Sequence, residues 1–504
     1  MCRVLASLIL CLPLAAQMVE GVVKDGDLPL AGVRVYVDTP RRVLAAGPLA
    51  VVSDAQGVFR LPVPGGKGVL VVEKEGWLRD FVPVSGYQAA LKVQLRPDSG
   101  FRRDRVLVVR LSMPGIASLR SEEELREVLF GTGPAVSSAS AYVSEATRGR
   151  LRLQAGGTVN LTYPARLPRE VDHARERITA WVLEQLRMRD LRPFDWVDNR
   201  TGLPGPDGKP DHLWIIAPGA CRTITDNPAH FYVRSTLMPL PWQKAERWPV
   251  VFLTEETPVG TLVHELLHAQ GEHSVDDYYL PDAADTAGRW DPMDAGQLTG
   301  WERSHPDQGP WLQDTATSPA LPMAYTLGEC WYRGAFRDLV TVEELKSGAW
   351  EGWIVPLIRA PEAGVQALRV ADPRKPGRFW ELSVRRSWGF DAGRTGDRPV
   401  PEGLVVARID PSLLTTDGDS RGPVRVVDAR PGTKEPPKPR YPGGRWELDD
   451  AAFQLGGVAS GEDGPLYWHV LGEDAQGRIK VRVEVGDVSA EKPITSRRTG
   501  RRKR

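Results

Sequence analysis

Between residues 18 and 97 apolar and polar positions alternate in short runs. VEGVVKDGDLPLAGVRVYV, VVSDAQGVFRLPVP and KGVLVVEKEGW each repeat every second residue, broken by Asp-Gly and Pro-Leu-Ala-Gly groups. A period of two places alternate side chains on one face of a pleated strand, so this stretch predicts an all-β unit. The pattern changes after RPDSGFRRD, near residue 100. RVLVVRLS reads as a buried strand, and SEEELREVLF as a helix with a serine N-cap and an acidic first turn. SSASAYVSEATRGRLRL predicts a helix ending at Gly149 and then a strand. In REVDHARERITAWVLEQLRMR, Val171, Ile178, Val182 and Leu186 fall near one helical face. DHLWIIAP and WPVVFLTEE predict short buried strands, the second running into a helix that contains HELLH. Strands alternating with helices over residues 104–340 argue a mixed α/β domain. From 345 to 488 the period of two returns in WEGWIVPLI, VQALRVAD, FWELSVRR, EGLVVARID, VRVVDAR and RIKVRVEVG, which predicts a β-rich C-terminal domain. The segment 489–504 is basic and reads as a disordered tail.

A length of 504 residues agrees with several domains, and an apolar share of 41% is enough to give each a core. Basic and acidic residues balance at 65 each, so no global field points to nucleic acid. The 50 glycines and 43 prolines favour turns and short strands. At the N-terminus, MCRVLASLILCLPLAAQ has one arginine, an apolar run to Ala16 and the small residues Ala15 and Ala16. Residues 1–16 therefore read as a secretory signal peptide, too short to span a bilayer, and no later segment reaches that length. A periplasmic or extracellular location without stable membrane insertion is expected. Of the four cysteines, Cys2 and Cys11 leave with such a leader. Cys221 and Cys330 remain, as one disulfide or two thiols.

The chemistry concentrates in LVHELLHAQGEHSVDD, residues 262–277, which holds three of the eight histidines. His264 and His268 stand four residues apart, on one face of a helix and close enough to bind one ion. Zinc takes about three protein ligands and one open position for water, whose pKa it brings to about 7. Glu265 is then the candidate general base, taking the proton of that water and passing it to a leaving amine. A bare His-Glu-x-x-His also occurs on structural helices. Here the leader, the preceding strand and Gly271 add weight, because a glycine three residues after the second histidine permits a sharp turn. AGRWDPMDAGQLTGW follows, and Met293 is placed as the methionine of a turn beneath the metal, or as a plain core residue.

Taken together, HELLHAQG, DDYY, GRWDPMDAG and LTGW resemble the secreted immune inhibitor A-like metallopeptidases, a metzincin-type family. Further likeness runs through Tyr142–Leu151, Asp207–His212, Phe379–Arg386, Gly389–Asp391 and Gly403–Asp410, so that it covers about residues 104–460. Gly21–Val23, Leu30–Val33, Ser53–Phe59 and Gly76–Trp77 resemble the carboxypeptidase regulatory-like β-sandwich found beside secreted peptidases. The resemblance implies a multidomain chain: an N-terminal β-sandwich (18–97), a central metzincin-like zinc peptidase domain and a β-rich C-terminal domain. It also implies Zn2+ and cleavage of extracellular proteins or peptides.

The chain departs from the family six residues after His268, where Ser274 stands in place of the aspartate ligand. A two-residue insertion aligns Val275-Asp276-Asp277-Tyr278 with the family's Pro-Asp-x-Tyr and makes Asp276 the third ligand. His273 is the rival and Asp277 the third choice. A solvated acidic turn is the competing reading of the two aspartates. Asp291 is a candidate to orient a histidine or to cap its own turn. Tyr278 or Tyr279 is a candidate oxyanion donor or a packing residue. His212 and His230 read as structural or surface residues. Asp198–Asp211 has the oxygen-rich, glycine-bearing look of a Ca2+ loop, although its acids are irregularly spaced. Two other functions stay open on the sequence. One is a non-catalytic secreted binding or adhesion protein with a degenerate peptidase domain; the other is a zinc hydrolase of glycans or amides.

Overall fold

The computed structural model of the protein describes residues 16–38, 50–85, 91–132, 137–164, 171–198, 204–219, 234–240, 243–255, 257–269, 275, 278, 286–294, 296, 319–392, 400–413, 423–430, 448, 450–456, 458–460 and 466–486. Residues 1–15 and 489–504, expected as leader and tail, lie outside them.

Eight strands open the chain: β1 (Gln17–Asp25), β2 (Leu28–Pro29), β3 (Arg34–Val37), β4 (Ala50–Val52), β5 (Val58–Val63), β6 (Lys67–Glu73), β7 (Asp80–Ser85) and β8 (Leu91–Gln94). One four-stranded sheet runs β2-β1-β5 with β8 parallel to β1, and the other runs β4-β3-β6-β7. The alternation expected over residues 18–97 is realised as two inward faces. Val19, Val23, Phe59 and Leu61 from the first sheet meet Val33, Val35, Leu70, Val72 and Val84 in one core. Gly21 must be glycine, since a Cβ there would stand 2.6 Å from the Phe59 ring.

The central sheet has the order β10-β9-β11-β13-β12, from β9 (Arg102–Ser112), β10 (Leu151–Thr162), β11 (His212–Ala217), β12 (Arg234–Leu240) and β13 (Gln243–Thr254). All pairs are parallel except β12 with β13 at the edge. The apolar run of β9 serves both faces of this sheet. Val106 and Val108 share a core with α1 (Glu122–Phe130), α2 (Ala139–Ala146) and α4 (Val259–His268). Leu107 and Val109 pack with α3 (Val171–Leu186) through Ile178, Val182 and Leu186. Helix α1 carries the expected cap as a full capping box: the Glu124 N–H donates to Ser121 Oγ (3.2 Å) and the Ser121 N–H to Glu124 Oε2 (2.7 Å).

Helix α2 stops at Ala146, three residues before the expected end at Gly149. Arg148 takes a left-handed conformation (φ 53°), and Gly149 follows at φ 87°. Its buried guanidinium donates to the carbonyls of Arg359 (2.7 Å), Leu339 and Leu357, all far along the chain. Burial pushes the Arg148 pKa down to about 9.

The remaining strands are β14 (Val342–Leu345), β15 (Gly348–Ile354), β16 (Ala367–Ala371), β17 (Phe379–Arg385), β18 (Gly403–Ile409), β19 (Val424–Val426), β20 (Val458–Ser460), β21 (Leu466–Glu473) and β22 (Ile479–Val485). They form two sheets, β14-β16-β17-β18-β19 and β15-β22-β21-β20. Leu404 and Val406 of β18 face the second sheet through Trp468, Val481 and Val483. Val405, Ala407 and Ile409 face the other way, into the core that holds α2 and α4. The C-terminal β region is thus a wall of the central core. Its first strand, β14, already begins at Val342.

Asp80 ties the N-terminal sandwich to this assembly. Its Oδ1 accepts Arg359 Nε (2.8 Å) and the backbone N–H groups of Phe81 and Ala360 (2.8 Å each), while Oδ2 accepts the other Arg359 nitrogen at 3.1 Å. Burial alone would raise the carboxyl, but Arg359 and the backbone donors outweigh it and hold it below the usual range. A carboxyl held low in the folded state stabilises it above the unfolded pKa of about 3.9, and that contribution fades as pH falls further. Asp80→Asn is expected to cost about 3 kcal/mol in a urea titration at pH 7, because it leaves the Arg359 charge buried without its partner. The loss relative to wild type should shrink in titrations repeated below pH 4.

Candidate functional site

Helix α4 begins directly after β13. Thr254 and Thr257 staple the turn between them, with the Thr254 N–H donating to Thr257 Oγ1 at 2.9 Å. Between the two threonines, Glu255 closes the carboxyl end of the sheet. It accepts Arg110 from β9 (3.1 Å), the Leu119 N–H (2.6 Å), the Gly219 N–H after β11 (3.0 Å) and the Ser118 hydroxyl. Val259, Leu262, Val263, Leu266 and Leu267 are all buried, so α4 is gripped on several faces.

That grip presents His264 and His268 together. Their rings stand perpendicular (90°) with centroids 4.6 Å apart, and Nε2 faces Nε2 at 3.1 Å. Each Nδ1 lies on a backbone carbonyl: His264 on Pro292 (2.8 Å) and His268 on Val275 (2.5 Å). A carbonyl oxygen only accepts, so both Nδ1 atoms carry the proton and both Nε2 lone pairs turn to one place. Two lone pairs in that position are reconciled by a shared proton or a cation. For zinc–nitrogen bonds of about 2.0–2.1 Å, neighbouring ligands of a tetrahedron stand about 3.3 Å apart, close to the separation here. Glu265, next along the helix, is only 6% exposed and shares the buried setting of His264.

The two carbonyls are held by the segments expected to matter. Val275, seven residues beyond His268, returns under the helix end, where its N–H donates to the Leu267 carbonyl at 3.3 Å. Pro292 belongs to the Trp290–Asp294 turn. Asp294 Oδ2 gathers the N–H groups of Thr286, Ala287 and Gly288 at 2.8–2.9 Å. Asp291 takes the Met293 N–H on Oδ1 (2.9 Å), and the Met323 N–H (2.8 Å) and Thr326 hydroxyl (2.6 Å) on Oδ2. Burial, working against these donors, pushes its carboxyl up to about 6. Of the two roles weighed for Asp291, the structure shows the cap: it orients His264 through the Pro292 carbonyl and not by direct contact. Gly296 lets the chain leave this turn, since a Cβ there would stand 2.2 Å from the Asp291 carbonyl oxygen. Met293 is fully buried, and its carbonyl accepts the Tyr278 N–H at 2.9 Å.

The structure therefore brings together His264, His268, Glu265 and the Met293 turn. His273, Asp276 and Asp277 lie outside the described residues, as do Gly271, Ser274, Tyr279, His230 and Cys221. Tyr278 is buried with its hydroxyl on Thr326 Oγ1 (3.0 Å), which is the packing role. Cys330 is a free thiol among the described residues, and burial pushes it up to about 12. His212 is structural, bonded through Nε2 to Asp104 (3.0 Å). In the loop read for Ca2+, Asp198–Asp211, Asp207 accepts the Lys209 N–H (3.0 Å) and Asp211 accepts those of Arg105, Trp196 and Val197, while Asp195, just ahead of the loop, accepts the N–H groups of Asp207 (2.8 Å) and Gly208 (2.7 Å). These carboxylates work as loop ties. No group of three or more metal-ligating side chains occurs among the described residues, and no helix among them is long and apolar enough to cross a membrane.

Sequence reasoning missed the two carbonyls, Asp294, Thr326 and Glu255. The one local signal was Asp-Pro-Met-Asp, a pair of turn-capping acids around a proline.

No protein-family model matches the chain, and no curated protein matches it. Solved structures with a local likeness include two interface mutants of a type II cohesin–X–dockerin complex from Acetivibrio cellulolyticus. For the N-terminal interface mutant, the match has 14% identity and a TM-score of 0.14, over 17% of this chain and 67% of that one. For the C-terminal interface mutant it has 15% identity and a TM-score of 0.13, over 16% and 56%. Neither likeness carries an argument about fold or function.

Asp291→Asn tests the turn. Both carboxylate oxygens accept hydrogen bonds, so the amide nitrogen would face a donor, and a loss of about 2 kcal/mol in urea-unfolding free energy is expected.

Proposed function

We propose that the chain is a secreted zinc-dependent endopeptidase acting on extracellular proteins or peptides, with a metzincin-like central domain. The observation that carries this reading is the imidazole pair, each Nδ1 held on a carbonyl and the two Nε2 atoms 3.1 Å apart. Neutral imidazoles fixed in one tautomer by an outer partner are the donor set that zinc takes. His264 and His268 would hold the ion. Asp276 is the proposed third ligand, with His273 and then Asp277 as alternatives. Val275 fixes His268 and Tyr278 is tied to the Met293 carbonyl, so the residues on either side of Asp276 and Asp277 are both anchored at this site. The apolar leader of residues 1–16 supports secretion.

Bound zinc supplies an acidified water and a polarised substrate carbonyl. Glu265, buried beside His264, is the carboxylate that would hold and move a proton there, as base and then as acid. The carbonyls of Pro292 and Val275 place the Nδ1 proton of each ring on the outer side and aim Nε2 at the common point. Met293 and the packed faces of α4 keep the helix from shifting.

The test is metal content by mass spectrometry, together with casein cleavage by the purified full chain. One zinc per chain is expected, with cleavage lost on chelation and regained on adding zinc. Glu265→Ala should keep the zinc and lose cleavage by at least about 100-fold. A chain that holds no zinc and cleaves nothing would instead be a non-catalytic extracellular binding protein. Zinc without casein cleavage, but with hydrolysis of a glycan or amide, would retain the metal and overturn the endopeptidase assignment.

A further inference from the structure

We propose that a cavity between the N-terminal sandwich and helix α2 is a binding site for a small tetrahedral oxyanion such as phosphate or sulfate. The cavity has a volume of about 170 Å3 and is walled by Arg34 of β3, Glu73 of β6, Arg79 ahead of β7, Ser144 and Glu145 of α2, and Arg152 of β10. That volume is far above the roughly 10–15 Å3 one water needs. The cavity lining includes none of His264, Glu265 and His268.

The charges around the cavity do not cancel. Glu73 serves two guanidiniums at once, Arg79 at 2.6 Å and Arg34 at 3.6 Å. Glu145 gives Oε1 to the Phe390 N–H at 2.5 Å. Arg152 also feels Glu73, which it shares with Arg79 and Arg34, while its ion pair at 3.5 Å is with Glu75 outside the cavity wall, itself paired with Arg103. Burial and the neighbouring positive charges of Arg79 and Arg103 accordingly hold the Arg152 pKa below its ordinary value. The buried Nε–H groups of Arg79 and Arg152 meet no acceptor among the described residues. Ser144 accepts an Arg79 nitrogen at 3.4 Å and retains its own hydrogen to donate.

Three guanidiniums and a hydroxyl around a polar cavity match the several oxygens of a tetrahedral anion, which Arg recognises by paired N–H donors. The wall draws on both the sandwich and the central domain, so the bound anion would crosslink them. Binding only to the folded chain would also raise its apparent stability with concentration.

The experiment is calorimetric titration of the full chain with inorganic phosphate, sulfate and acetate at matched ionic strength, with thermal melting in parallel. Saturable binding of phosphate or sulfate is expected, with a melting temperature that rises as the anion is added. Arg152→Gln should weaken the affinity at least tenfold, and Arg152→Lys should recover part of it. Arg34→Gln, at a half-exposed position, guards against a variant that merely misfolds. The proposal is overturned by absence of saturable heat, by wild-type affinity in both Arg152→Gln and Arg34→Gln, or by a response to acetate alone.

Discussion

Two backbone carbonyls, those of Pro292 and Val275, decide what the helix Val259–His268 can do. By accepting the Nδ1 protons of His264 and His268 they turn both Nε2 lone pairs to the same place, 3.1 Å apart. Left free, each imidazole would sample both tautomers and several rotamers, and the pair would have no common focus. Everything around the site serves to keep those oxygens still. Asp291 and Asp294 grip the turn from two sides, Thr326 and Met323 anchor Asp291 in the core, and Leu267 receives the returning chain at Val275.

The same logic explains why the protein is built as sheets with shared walls. Strand β18 faces the C-terminal sandwich with one set of side chains and the core behind α4 with the other. The buried Arg148 and the Asp80–Arg359 pair fasten α2 and the N-terminal sandwich to the segment that leads into β16. Removing the β-rich C-terminal region would strip apolar cover from the central domain. The oxyanion cavity lies at another of these seams, where charge from the sandwich meets charge from the central sheet.

Much of the architecture was legible in the residue pattern, for identifiable reasons. Period two in residues 18–97 and 345–488 marked the strands, and Ser121 with Glu124 marked the start of α1. Strand β21, LYWHVLGE, shows no clean alternation in hydrophobicity, because Tyr467 and Leu471 put apolar side chains at its outward positions. Gly149 marks a helix stop in the sequence, but the helix ends at Ala146, because Arg148 takes a left-handed conformation and its guanidinium bonds carbonyls about two hundred residues along the chain.

At the site, the sequence by itself determined that His264, Glu265 and His268 share a helix, since spacing along a regular helix is a local property. It also determined that a turn rich in capping acids surrounds Met293. Only the tertiary structure decided which nitrogen of each imidazole points outward, and that Asp291 acts through Pro292 while Tyr278 faces the core. Those outcomes depend on contacts between segments far apart in the chain, such as His264 with Pro292. Periodicity records which face of an element is apolar; it carries no record of which distant carbonyl will meet it.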